Sequence, residues 1–214
     1  MTGFSADSIE LIPANYFAEL TPSDLFADSS RPLELDVGCG DGTFLLEMAR
    51  HFPDRNFLGI ERLGGRIRKI CRRAARMGLQ NVRVLHLENS YTLSWLLPPR
   101  CTSRLHLLFP DPWPKKRHAF HRFVHPGNLA GIHRVLAPGG TFHFKTDHED
   151  YFSEATAIVD ASDLFQRIPW DQTAGFYPTT DFEQQWLQEG KKIGGACWQR
   201  RKLPPEIDPP PGTS

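Results

Sequence analysis

Five short apolar runs recur along the chain: Leu33–Val37, Phe57–Ile60, Val82–Leu87, Leu105–Phe109 and Thr141–Thr146. Between them, Thr43–His51, Gly64–Gly78, Tyr91–Leu97 and Pro126–Leu136 repeat their apolar residues at helical spacing. Strand and helix alternating in this way predict βαβ units. The fold class expected is therefore α/β, a doubly wound, mostly parallel sheet with helices on both faces. Ala137-Pro138-Gly139-Gly140 predicts a turn between the fourth helix and the last strand, and Asp150–Ala161 and Asp181–Gly190 predict two further helices. The expected organisation is an N-terminal segment (1–30), one domain (31–202) and a tail (203–214). With five prolines in twelve residues, the tail is not expected to pack regularly.

Composition narrows the class. At 214 residues, 40% hydrophobic and 23% charged, the chain has the size and apolar content of one α/β domain. No apolar run approaches the roughly 18–20 residues that span a bilayer, and the N-terminus lacks the basic and apolar regions of a secretory signal. Cys39, Cys71, Cys101 and Cys197 form no CxxC pair, which suits reduced thiols. A cytoplasmic protein that neither enters a membrane nor binds a metal is expected. His118, His121 and His125 fall at i, i+3 and i+7, but no Cys or carboxylate completes a ligand set, so they are read as surface histidines.

The net charge is zero, but its distribution is uneven. Residues 1–61 carry 3 basic against 11 acidic residues, 62–134 carry 15 against 2, and 135–214 carry 7 against 12. The densest part is Arg62–Arg76. As a helix it places Ile67, Ile70, Ala74 and Met77 on one stripe and Arg62, Arg66, Lys69, Arg73 and Arg76 on another. With almost no carboxylates in the segment, these charges are either paired by other elements or open to phosphate.

The strand Leu33–Val37 runs into Gly38-Cys39-Gly40-Asp41-Gly42 and then into a helix. Glycines at a strand-to-helix turn permit positive φ and close approach of a ligand to the main chain. About twenty residues on, the next strand ends in Glu61, placed to take the hydroxyls of a ribose. The GxGxG spacing and the carboxylates around it (Glu34, Asp36, Asp41) disfavour a pyrophosphate. They suit a ligand carrying an ammonium and a sulfonium, so S-adenosylmethionine is the cofactor expected rather than NAD. After the third strand, Glu88 and Asn89 are both placed to read an adenine edge, and Asn89 offers both donor and acceptor. Cys39 is read as a packing residue.

The fourth strand leads into Phe109-Pro110-Asp111-Pro112-Trp113-Pro114-Lys115-Lys116-Arg117-His118. Three prolines stiffen a loop that holds one carboxylate beyond the carboxyl end of a strand, where ligands of open α/β sheets bind. This motif, with LELDVGCGDG, FLGIE, PGG-TFHFKTD and TDFE, closely resembles the bacterial tRNA (guanine-N7-)-methyltransferases, over roughly Leu33 to Arg200. The resemblance implies the Rossmann-like class I methyltransferase fold, S-adenosylmethionine as methyl donor and a guanosine of the tRNA variable loop as acceptor.

Residue by residue, it implies that Glu34, Gly38, Gly40, Glu61, Asn89 or Glu88, and Asp111 contact the cofactor. Asp111 is also the catalytic candidate, and Lys115, Asp147, Thr180, Asp181, Phe182 and Glu183 match positions that contact tRNA. One departure follows the basic triplet, where Ala119-Phe120-His121-Arg122-Phe123 replaces a more basic run and leaves Arg122 its only permanent charge. A non-catalytic RNA-binding protein on the same fold, and a methyltransferase acting on another substrate, remain as alternatives. The apolar residues of Ile9–Phe26 suit docking either on the domain or on RNA, and monomer and homodimer stay open.

Overall fold

A computed structural model describes residues 8–171 and 175–202. The proline-rich tail lies outside them. Strands β1 (Glu10–Leu11), β2 (Leu33–Val37), β3 (Asn56–Glu61), β4 (Val82–His86), β5 (Thr102–Leu108), β6 (Leu136–Thr146), β7 (Phe165–Ile168) and β8 (Gly194–Arg200) form one sheet. Its order is β1-β4-β3-β2-β5-β6-β8-β7. The pairs from β1 to β6 are parallel, and β8 is antiparallel to both β6 and β7. This is the expected doubly wound, mostly parallel α/β sheet.

The helices are α1 (Pro22–Leu25), α2 (Thr43–His51), α3 (Gly64–Met77), α4 (Asn89–Tyr91), α5 (Pro126–Val135), α6 (Glu149–Asp160) and α7 (Asp181–Gln188). Tyr91–Leu97 is not one regular helix: α4 passes into a π-helical turn, Thr92–Leu96. Ala137–Gly140 is not a separate turn either. It lies within β6, where the register against β5 shifts, and Gly139 has φ 75° there.

Alternation along the buried strands feeds two cores. On β3, Leu58 and Ile60 join one apolar cluster while Phe57 joins the other, which holds Phe44, Leu45 and Met48 of α2 and Ile67, Ile70 and Ala74 of α3. The central strand β2 is buried throughout, so the polar residues at its alternate positions, Glu34 and Asp36, are carried into the interior. The N-terminal segment docks on the domain: β1 pairs with β4, and Leu11, Leu20, Leu25 and Phe26 are core residues. Among the described residues no helix is long and apolar enough to cross a membrane.

Two positions show how tightly α2 and α3 are set. Gly42 has φ 74°, and a Cβ there would meet Ile70 Cγ1 of α3 at 2.7 Å. Gly78, which ends α3, has φ 66° but open space around it. Gly42→Ala is expected to cost about 2–4 kcal/mol, combining left-handed strain with overpacking. Gly78→Ala carries the strain alone and is expected to cost about 1–2 kcal/mol. Urea denaturation of both variants checks the order; equal losses would show that Ile70 does not constrain the turn.

Candidate functional site

The site begins where β2 becomes α2. Gly38, Gly40 and Gly42 all have positive φ (71°, 56° and 74°), so the chain folds back in three left-handed steps. The amides of Gly38 and Cys39 both donate to the Ile60 carbonyl, at 2.8 and 3.0 Å, which fixes the turn against β3. The helix start has no side-chain cap. β3 supplies the next constraint through Gly59, where a Cβ would lie 2.6 Å from Leu45 and 2.8 Å from Cys39 Sγ. Cys39 fills this contact, and burial raises its thiol well above the ordinary range, as suits a packing residue.

Beyond the turn opens a cavity of about 670 Å³ at the carboxyl ends of β2, β3 and β5. The carboxylates at the ends of β2 and β3, Asp36 and Glu61, line its floor beside the turn. Glu61 accepts hydrogen bonds from the amides of Gly40 (3.1 Å) and Leu63 (2.8 Å), with Arg66 at 3.4 Å. Asp36 is only 4% exposed, and among the described residues no donor reaches its carboxylate. Burial, followed by repulsion from Glu61, raises its pKa to about 7. Asp41 also lines the cavity, but it is engaged from outside by Lys69 and Arg66 of α3.

Glu34 was expected in this cavity and does not line it. It lies two residues before Asp36 on the same face of β2, one step further from the glycine turn. Its carboxylate accepts from His106 Nε2 at 2.9 Å and Arg55 at 2.7 Å, with Arg104 at 3.7 Å. Burial opposes its ionisation, but these donors outweigh it and hold the pKa at about 2. Burial also lowers the pKa of His106, so its neutral ring donates to Glu34 and accepts from the Tyr177 hydroxyl at 2.8 Å. Asp36, not Glu34, is the strand carboxylate that lines the cavity.

The pair Glu88 and Asn89 also separates. Glu88 is an N-cap whose carboxylate accepts from the amides of Ser90 and Tyr91, at 2.9 and 2.7 Å. Asn89 sits against the turn: its Nδ2 would be 3.6 Å from a Cβ on Gly38, and its Oδ1 is buried without a partner. Both residues line the cavity, but only Asn89 keeps an unspent polar atom.

Asp111 and Trp113 also line the cavity, from the loop that follows β5. The loop that carries them is strained, with Phe109 at φ 51° and Trp113 at φ 44° on either side of the two prolines. It is clamped at its base: Phe109 N donates to the Lys145 carbonyl at 2.8 Å, and Arg122 Nε donates to the Pro112 carbonyl at 2.8 Å. Arg122 is buried and also paired with Glu154, so the charge expected to remain for RNA contact instead fastens the loop. Among the described residues no group of His, Cys, Asp and Glu is arranged to hold a metal ion, and His125 serves as the N-cap of α5.

The residues matched to tRNA contacts divide. Thr180, Asp181 and Phe182 line the cavity, and Asp181 accepts from Thr43 Oγ1 at 2.8 Å, tying α7 to α2. Lys115 is exposed outside the cavity wall, and Asp147 lies 3.6 Å from Lys191, also outside it. Glu183 does not line the cavity. It is buried and pairs with Lys145 Nζ at 2.6 Å. The sequence reading missed this Lys145–Glu183 pair and the Glu34–His106–Tyr177 chain, which together fasten the segment covering the site. A signal was present: Thr141, His143 and Lys145 form a polar row on one face of a strand whose other face carries Phe142 and Phe144.

The cradle suits an adenosine-bearing cation. It offers left-handed glycine turns for close main-chain approach, a carboxylate on each of two adjacent strands, and an unmet acceptor on Asn89. Comparison with known proteins agrees. Residues 30–196 match the model of a family described as putative methyltransferase. A tRNA (guanine-N(7)-)-methyltransferase of Nitrosococcus oceani is 36% identical over 84% of this chain and 77% of its own length. One of the same name from Mycobacterium leprae is 33% identical over 78% and 74%. Among solved structures, the aminoglycoside resistance methyltransferase NpmB1 superposes with a TM-score of 0.56 at 18% identity, over 86% of this chain and 95% of its own. The antibiotic-resistance methyltransferase Kmr gives 0.55 at 19% identity, over 87% and 94%. These two likenesses establish the fold.

The raised Asp36 pKa carries a definite sign. A carboxyl whose folded pKa of about 7 exceeds its unfolded value of 3.8 destabilises the free protein at high pH, and the penalty fades as pH falls from 7 toward 4. Asp36→Asn is therefore expected to raise the melting temperature of the ligand-free protein at pH 8, with the gain shrinking as the buffer is acidified. A gain independent of pH, or none, would show that Asp36 ionises freely.

Proposed function

The chain belongs to the family of bacterial tRNA (guanine-N7-)-methyltransferases, and from that premise we propose that it transfers a methyl group from S-adenosylmethionine to N7 of a guanosine in the tRNA variable loop. The observation that carries this reading is one cavity with two different walls. One is the glycine turn with Asp36, Glu61 and Asn89; the other is Asp111 and Trp113 on a stiff loop. The first suits the methyl donor and the second suits a planar base.

S-adenosylmethionine supplies, when bound, an electrophilic methyl on a sulfonium. Asp36, once ionised, offers a buried anionic partner to the ligand's positive charge, and Glu61 accepts from ribose hydroxyls. Asn89 Oδ1 accepts from the adenine amine. On the facing wall Asp111 accepts from the N1–H and exocyclic amine of guanine, a pairing adenine cannot offer, and Trp113 stacks on the purine.

Guanine N7 carries a free lone pair, so no residue has to remove a proton before attack. The work of the protein is alignment and stabilisation of the positive charge that develops on the purine, and a carboxylate held at the ring edge supplies the latter.

The test is methyl transfer from labelled S-adenosylmethionine to an unmodified tRNA transcript, followed by cleavage at N7-methylguanosine. A transcript lacking the variable-loop guanosine serves as control. Label confined to that guanosine is expected. Asp111→Asn is expected to lower kcat at saturating S-adenosylmethionine on the order of a hundredfold. Near-normal turnover of the variant removes Asp111 from the chemistry. Cofactor binding without label on any tRNA guanosine points to a binding protein on this fold.

A further inference from the structure

The fifteen basic residues between 62 and 134 do not form one open positive face. Carboxylates from the acidic flanks take up several: Arg104 lies by Glu34, Arg122 by Glu154, and Arg134 by Glu19. On α3 the side facing the glycine turn is likewise engaged. Arg66 and Lys69 meet the Asp41 carboxylate, and Arg73 donates to the Asp41 carbonyl and Thr43 Oγ1. These three hold the turn in place.

What remains is a second row, Arg68, Arg72 and Arg76, exposed at i, i+4 and i+8. Among the described residues no carboxylate forms an ion pair with any of them. A rise of about 1.5 Å per residue spaces them about 6 Å apart, comparable to successive phosphates on one RNA strand. Like charges at i,i+4 weaken a helix, and α3 has no acidic residue in its first turn to offset them. The row leads away from the cavity mouth, which Arg62 and Arg66 line. On the loop after β5, which also carries Asp111 and Trp113 of the cavity lining, Lys115 and Arg117 are both exposed. The site is thus flanked by positive charge beyond β3 on one side and beyond β5 on the other, with only β2 between those strands.

We propose that Arg68, Arg72 and Arg76 form a docking rail for the sugar-phosphate backbone of the RNA whose guanine enters the cavity. The rail rests on the reading of tRNA as substrate and adds a second contact, on a helix remote from the strained loop. An anionic membrane is the weaker fit, because a helix lying on lipid turns its apolar stripe outward, whereas Ile67, Ile70 and Ala74 are buried in the core. The rail also answers the missing basic run after His118: phosphate contact moves to α3.

The test compares wild type with the triple variants R68Q/R72Q/R76Q and R68K/R72K/R76K, using an unmodified tRNA transcript. For the Gln variant the tRNA KM is expected to rise on the order of tenfold, and the slope of log affinity against log salt to flatten by about 2. Its kcat at saturating tRNA, its S-adenosylmethionine affinity and its melting temperature are expected to stay at wild-type values. The Lys variant is expected to keep the wild-type slope. An unchanged slope and KM overturns the rail, as does a loss confined to binding of phosphatidylserine vesicles. A lowered melting temperature with an unchanged slope assigns the arginines to the fold and overturns it too. If wild type binds tRNA but transfers no methyl, the slope still decides the rail, and only the methylation reading falls.

Discussion

Two carboxylates at the ends of adjacent parallel strands, Asp36 and Glu61, share one cavity, and much of the architecture serves to keep them there. Parallel pairing puts Asp36 opposite Gly59 and Val37 opposite Ile60, so both acids emerge at the same edge of the sheet. The turn between them is held by paired amides on the Ile60 carbonyl, and Glu61 is satisfied by the backbone of Gly40 and Leu63. Asp36 has no such donor, so its burial beside Glu61 is an unfavourable arrangement in the free protein. A cationic ligand relieves it.

A second buried layer, beneath the first, decides how the site is covered. Glu34 is ionised and neutralised by Arg55, Arg104 and the hydrogen bond from His106, which in turn holds Tyr177. Lys145 and Glu183 make the parallel link one strand further on, and both Trp170 and Tyr177 lie over the Lys145 ammonium. Burial, with neighbouring positive groups, presses the pKa of His143 down to about 2, so it adds a neutral ring rather than a charge. The segment leading into α7 is thus anchored to the sheet at two points, which leaves Thr180, Asp181 and Phe182 facing the cavity. Residues that line the site and residues that hold it shut alternate along this stretch.

The five central strands, the glycine turn and the stiff loop were legible because each leaves a local signature: an apolar run, three spaced glycines, three prolines around an acid. The edge of the sheet was not. β1 is two residues long, and β8 opens with two glycines and exists through its antiparallel pairing with β6 and β7. Glu34 and Asp36 point to the same face of β2, and only the depth of the strand relative to the turn separates the carboxylate that lines the cavity from the one behind it. The pairs Arg122–Glu154 and Lys145–Glu183 were hidden because a charged residue with a partner distant in the chain looks, in sequence, like one left for solvent.

The central claim is that Asp36 is held partly protonated until a cation arrives, and proton-linked calorimetry tests it most directly. S-adenosylmethionine would be titrated into the protein at pH 7 in two buffers of different ionisation enthalpy. Ionisation of Asp36 on binding predicts release of a substantial fraction of one proton, falling toward zero at pH 9 and absent in Asp36→Asn. Binding with the same heat in both buffers at pH 7 would mean that Asp36 is already charged in the free protein. The arrangement of the two carboxylates would then not be what prepares the site.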